Sequence, residues 1–134
     1  MTTSFRLLIL AACLCAAIPA TATTRVDNFR LLDQHRQSHE LHYYDDASVI
    51  VLMVHMNGCP IVRNLITDFR AVRDAYADRG VEFMMINPSL QDTRESILEE
   101  AEAFGIDLPV LVDETQLVGE ALGVERSAEV FVID

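Results

Sequence analysis

Apolar residues are spaced in two different ways along the chain. SVIVLMVH, Ser48 to His55, is a continuous β-branched run of strand length, the pattern of a strand buried on both faces. VEFMMIN, Val81 to Asn87, repeats it and is closed by Pro88; Leu108 to Val112 gives a shorter run, and EVFVID, Glu129 to Asp134, the last. Between these the period lengthens. Ile61, Leu65, Phe69, Val72 and Tyr76 recur at steps of three and four, predicting a helix with one apolar face. Pro60 suits its first position and Gly80 its end. Asp92 with Glu95 makes a capping-box pattern before Ile97, Leu98, Ala101 and Phe104, and Gly105 stops that helix. Asp113 with Gln116 caps a short helix carrying Leu117, Ala121 and Leu122 and ending at Gly123. Thr23 to Asp46 is polar, with apolar pieces at Phe29, Leu31, Leu32 and Leu41, and suits irregular structure with a small hairpin.

Strands alternating with helices predict βαβ units: an α/β fold with a mostly parallel central sheet flanked by helices on both faces. A length of 134 residues allows one modest domain and not two. No repeat, low-complexity segment or interdomain linker interrupts it.

The first 24 residues follow different rules. Arg6 precedes an apolar run from Leu7 to Ile18, and Ala20-Thr21-Ala22 fits a small-x-small cleavage site. Residues 1–22 therefore read as a secretory signal peptide and 23–134 as the folded domain, exported to the periplasm or outside the cell. The run falls short of the roughly 20 apolar residues that span a bilayer, so no stable membrane insertion is expected after cleavage. Leu10-Ala11-Ala12-Cys13 offers a lipoprotein-like alternative in which Cys13 is lipid-modified. With the signal removed, Cys13 and Cys15 are lost and Cys59 is the sole cysteine of the mature chain. No intramolecular disulfide is then available, and an unpaired cysteine in an oxidising compartment is either inert or chemically employed.

Charge narrows the partners. The formal net charge is −11 and every basic side chain is an arginine, which argues against a nucleic-acid partner or a polybasic membrane surface.

Cys59 stands in VHMNGCPIVRN, residues 54–64. It follows a central strand, at the end where open α/β sheets place their sites. It also occupies the predicted N-cap of a helix, whose dipole and free N–H groups favour thiolate. Arg63, four residues on, lies one turn along the same side and adds positive charge. Asn57-Gly58 supplies a tight turn that leaves the sulfur approachable. A free cysteine is also commonly a small buried apolar residue; the strand–turn–Cys–Pro–helix context favours the activated nucleophile.

MNGCPIVRN, RGVEFMMINPS, DLPVLVDETQLVGEALGV and AEVFVID, in that order, resemble the redoxin group of thioredoxin-like proteins, within the alkyl hydroperoxide reductase/thiol-specific antioxidant superfamily. The resemblance runs from about Phe29 to Asp134. It implies a thioredoxin-like fold, here lacking the final strand and helix that normally follow, and a thiol-dependent oxidoreductase or antioxidant activity without a cofactor. Cys59 matches the attacking cysteine, with Pro60 holding the turn and Arg63 lowering the thiol pKa. Val62 stands where a second, resolving cysteine would be, so the resemblance implies an external thiol as reductant and a disulfide or peroxide as substrate. Leu52 and Met56 replace the proline and threonine of the peroxidatic signature. Ser127-Ala128 replaces the usual cis-proline, with Arg126 beside it.

Two metal readings compete weakly. His35, His39 and His42 have H-x3-H-x2-H spacing, although histidines of a polar surface loop are commoner than ligands. His55, Met56 and Cys59 are soft donors of the kind Cu(I) takes, and the alternative function is a non-catalytic thioredoxin-like module of a larger exported protein that binds a partner or Cu(I). Glu99, Glu100 and Glu102 read as a solvated helix face, and G-x-S-x-G, H-E-x-x-H and phosphate loops are absent.

Overall fold

The structure, a computed structural model, describes residues 25–134. The segment read as a signal peptide, with Cys13 and Cys15, lies outside the described residues. The polar entry forms the expected hairpin, β1 (Arg30–Asp33) and β2 (Ser38–Glu40). Asp33 Oδ1 closes its turn by accepting from the N–H groups of His35 (2.8 Å) and Gln37 (2.9 Å), an Asx turn. A 3₁₀ turn, Leu41–Tyr44, leads into β3 (Val49–Val54). Then follow α1 (Pro60–Tyr76), β4 (Val81–Asn87), α2 (Arg94–Phe104), β5 (Val110–Val112), α3 (Leu117–Leu122) and β6 (Val130–Ile133).

These strands make one six-stranded sheet in the order β2-β1-β5-β4-β3-β6. β3, β4 and β5 run parallel, as the alternation predicts. The hairpin joins β5, and β6 joins β3, antiparallel, so the sheet is mixed around a parallel centre. Strand direction at the edges is not encoded in periodicity. The crossovers β3-α1-β4 and β4-α2-β5 step the same way across the sheet, which places both helices on one face. Met53, Phe83, Met85 and Val110 meet Val62, Ile66, Ile97 and Ala101 there. The opposite pleat, Ile50, Leu52, Val54, Met84 and Ile86, packs against Val118 and Leu122 of α3 and against Phe29, Leu31, Leu41 and Tyr44.

Three sequence expectations about the helices are corrected, the third in part. α1 turns Val62, Ile66 and Phe69 to the core, while Ile61, Leu65, Val72 and Tyr76 are exposed. Its apolar residues cover an arc wider than one stripe, and the sheet below selects the edge of that arc that is buried. α2 is capped by Thr93, whose side chain accepts from the Ser96 N–H at 3.1 Å, not by Asp92, which is committed elsewhere. In α3 the N-cap position falls to Gln116 without a side-chain cap, yet Asp113 does serve that helix through the Gly119 N–H at 2.7 Å. β6 is paired on one side, and its Val130 and Val132 are exposed.

Candidate functional site

At the C-terminal ends of the three parallel strands the chain leaves the sheet in three loops: 55–59 after β3, 88–93 after β4 and 113–116 after β5. β6 begins at the same end, tied to β3 by Ala128 N–H donating to Val54 O and Val54 N–H donating to Glu129 O, each 2.8 Å. That pairing carries Ser127 to the side of the first loop.

Cys59 is the N-cap of α1 in extended conformation (φ −72°, ψ 112°), with Pro60 at the start of the helix. The Cys59 N–H donates to Met56 O at 3.2 Å, closing the turn over Gly58, whose φ is +75°, a conformation open to glycine at little cost. The sulfur is half-buried. It lies 3.0 Å from Ser127 Oγ. This hydrogen bond is the main reason the thiol pKa is lowered; burial works the other way, and the N–H groups of Val62 and Ile61 and the charge of Arg63 add smaller favourable effects. Thiolate is the nucleophilic form of cysteine, so the arrangement favours a reactive sulfur.

Arg63 is placed as its spacing predicts, but its charge is already engaged. Nε and Nη2 donate to Glu100 Oε1 and Oε2 at 3.1 and 3.0 Å, and the guanidinium stacks 4.0 Å above the Phe104 ring. Glu100 is therefore no part of a solvated face, its side chain being 10% exposed. Burial pushes the Glu100 pKa up, but Arg63 and the Gly58 N–H outweigh it and the net direction is down. Asp92 Oδ2 accepts from the Asn57 N–H and from Asn87 Nδ2, both at 2.9 Å, and Asn57 Nδ2 donates to Ser96 Oγ at 2.9 Å. Beneath this layer lies His55, fully buried, its Nδ1 accepting from Asn87 Nδ2 at 3.1 Å. Burial drives its pKa down, against the opposing pull of Glu100 and Asp92. Its Nε2 is one of two buried side-chain atoms, with Asn57 Oδ1, that lack a partner among the described residues.

Other predicted positions fall outside this cluster. Val62 is a core residue, 1% exposed, and Leu52 is equally buried in β3. Met56 lines a neighbouring cleft with Pro88, Leu90 and Val124. Arg126 is exposed and faces Glu129 at 3.5 Å, and Ala128 holds a left-handed φ of +65°. His39 is occupied on both ring nitrogens, by Tyr44 Oη (2.6 Å) and Asp33 Oδ2 (2.9 Å), which separates it from His35 and His42. Among the described residues no three His, Cys, Asp or Glu side chains gather as a metal site, and no helix is long and apolar enough to cross a membrane.

Sequence reasoning placed Ser127 only through the resemblance, at the position of the usual cis-proline, without its contact to the sulfur, and it missed Glu100 as a partner of the cysteine loop. Glu100 has a signal: Asp92, Ser96, Glu100 and Phe104 recur every four residues, one line along a helix.

The structure is similar to several solved ones. A hypothetical protein from Sinorhizobium meliloti 1021 aligns with a TM-score of 0.72 at 26% identity, covering 83% of this chain and 63% of that one, so this chain spans less than two thirds of that protein's length. The thioredoxin domain of a thiol-disulfide oxidoreductase from Bacteroides vulgatus aligns at 0.71 and 15% identity, covering 84% and 81%. A peroxidoxin from Mycobacterium tuberculosis aligns at 0.69 and 24% identity, covering 81% and 75%. No curated protein matches the chain. The fold is thus thioredoxin-like, as the resemblance implied. The model of the AhpC/TSA family matches residues 22–134, nearly the whole of the chain, and the protein belongs to that family of thiol-based redox proteins.

Proposed function

We propose that the protein is an exported thiol oxidoreductase of the redoxin type in which Cys59 is the nucleophile. The observation that carries this reading is the 3.0 Å contact between Cys59 Sγ and Ser127 Oγ at a helix N-terminus, where hydroxyl and backbone N–H groups converge on one sulfur. Cys59 thiolate attacks one sulfur of a substrate disulfide. An S–S bond to Cys59 forms, the substrate S–S bond breaks, and the second sulfur departs as a thiolate that takes a proton from solvent. A core valine at position 62 offers no second thiol. An external thiolate then attacks the mixed disulfide, releasing Cys59 and leaving as the new disulfide.

A disulfide suits the site better than a peroxide. Attack on a peroxide drives off an alkoxide or hydroxide, a poorer leaving group than a thiolate, which calls for a free cation or a strong donor. The two nearby arginines are paired, Arg63 with Glu100 and Arg126 with Glu129. Export rests on the leader-like residues 1–22, and N-terminal sequencing of the secreted protein should begin near Thr23.

The deciding experiment is turnover of a small disulfide and of hydrogen peroxide with a dithiol reductant, comparing wild type with Cys59→Ser. We expect disulfide turnover at least tenfold above peroxide turnover in wild type and none in the variant. Equal rates in wild type and Cys59→Ser would overturn the proposal. Peroxide turnover that exceeds disulfide turnover would reverse the substrate order.

A further inference from the structure

The face that α2 turns toward the cysteine loop carries more than its helical role requires. Ser96, Glu100 and Phe104 on the helix, and Asp92 just before its cap, all contact the segment from Asn57 to Arg63. Glu100 is the member that contacts the chain on both sides of Cys59. Its two oxygens accept from the Gly58 N–H at 3.0 and 2.9 Å, one residue before Cys59. The same two oxygens hold the Arg63 guanidinium four residues after it. A bidentate pair with one partner 10% exposed is geometrically fixed.

We propose that Glu100 is a positioning residue that sets the reactivity of Cys59 by masking Arg63: it anchors the turn through Gly58 and balances the one cation beside the sulfur. This rests on Cys59 being the reacting atom. The spacing of Arg63 alone suggests a cation that activates the thiol. With Glu100 in place, a positive and a negative charge sit side by side against the cysteine loop, and the carboxylate offsets part of the field that Arg63 exerts at the sulfur. Stabilisation of the thiolate falls mainly to Ser127 and the helix N–H groups, with a smaller share from Arg63. Removing either charge uncovers the other.

The two single substitutions therefore have opposite signs. Glu100→Gln leaves Arg63 unopposed and favours thiolate. The pH midpoint of Cys59 alkylation by iodoacetamide moves down, and alkylation at pH 6 speeds up by about three- to tenfold, the range for a partly screened neighbouring charge. Arg63→Gln leaves the carboxylate unopposed, moves the midpoint up and slows alkylation by a similar factor. The double variant returns close to wild type.

A clamp without electrostatic effect gives a different pattern. Both single variants then lose stability while their alkylation midpoints stay put or move the same way, and that result overturns the proposal. Circular dichroism checks folding first. If Glu100→Gln does not fold, the double variant is compared with Arg63→Gln: a midpoint that returns toward wild type in the double variant supports the masking, and one that stays raised as in Arg63→Gln overturns it. Alkylation reports the ionisation of the sulfur whether or not the protein turns over any disulfide. Failure of the redox reading therefore shows up separately, as normal alkylation without turnover.

Discussion

Replacing Ser127 by alanine removes the group placed nearest to the Cys59 sulfur, 3.0 Å away. A hydrogen bond to a charged partner contributes about 1.5 kcal/mol, roughly tenfold in an ionisation equilibrium, and half-exposure reduces that. Ser127→Ala should therefore raise the Cys59 pKa and slow its alkylation at neutral pH by several-fold, read as a rate against iodoacetamide. An unchanged rate would mean that the helix N-terminus alone carries the thiolate. At this scale the sequence was legible where cause and effect are neighbours. Cys59 as N-cap and Pro60 as first helical residue follow from adjacent letters. Ser127 was legible only through the resemblance, as the residue at the cis-proline position; its contact with the sulfur was not, because it stands 68 positions from Cys59 and arrives through the pairing of β6 with β3. Arg63 was located correctly, but its charge balance depends on Glu100, 37 positions away.

Among the elements, α2 does the most to hold the site. Its N-cap, Thr93, accepts from the Ser96 N–H, and Ser96 Oγ in turn accepts from Asn57 Nδ2. Thr93→Ala should cost about 1 kcal/mol, the usual loss for an N-cap, seen as a lower urea midpoint with an unchanged slope. If the midpoint holds, water replaces the cap without penalty. The sequence offered Asp92 and Glu95 as a capping box, and the pattern itself is sound. Tertiary demand displaced it: Asp92 Oδ2 accepts from the Asn57 N–H and from Asn87 Nδ2 instead, donors that would each lose a partner without it. The same competition explains α1. Its residues 61, 62, 65, 66, 69 and 72 are all apolar, so periodicity identified the helix without choosing which edge of the arc meets the sheet. Burial of Val62 and Ile66 is decided by Met53, Phe83 and Met85 beneath them.

For the molecule as a whole, the alternation of strand and helix was enough to foresee the parallel centre and the position of Cys59 at its C-terminal ends. The polar layer under that site has its own effect, on stability against pH. His55 is fully buried, and burial drives its pKa below the ordinary 6.5. In the unfolded chain it regains the ordinary value and takes up a proton as the pH falls through about 6.5, which the folded state resists. The unfolded state then binds more protons, so stability is complete above that pH and declines below it, by at most about 1.4 kcal/mol per pH unit for one group. The lowered carboxylates act in a separate window. Glu100, held by Arg63 and Gly58, and Asp107, held first by the Arg73 hydrogen bond, stabilise the fold above their ordinary values of 4.5 and 3.8. That contribution is lost as the pH falls through their lower folded values. Melting temperature measured from pH 8 to pH 3 should therefore fall in two stages, the first beginning near pH 6.5 and the second below pH 4.5. His55→Gln, which keeps an acceptor for Asn87 and does not titrate, should flatten the first stage and leave the second. A variant that keeps the wild-type slope between pH 6.5 and 5 would show that some other group gives rise to the first stage.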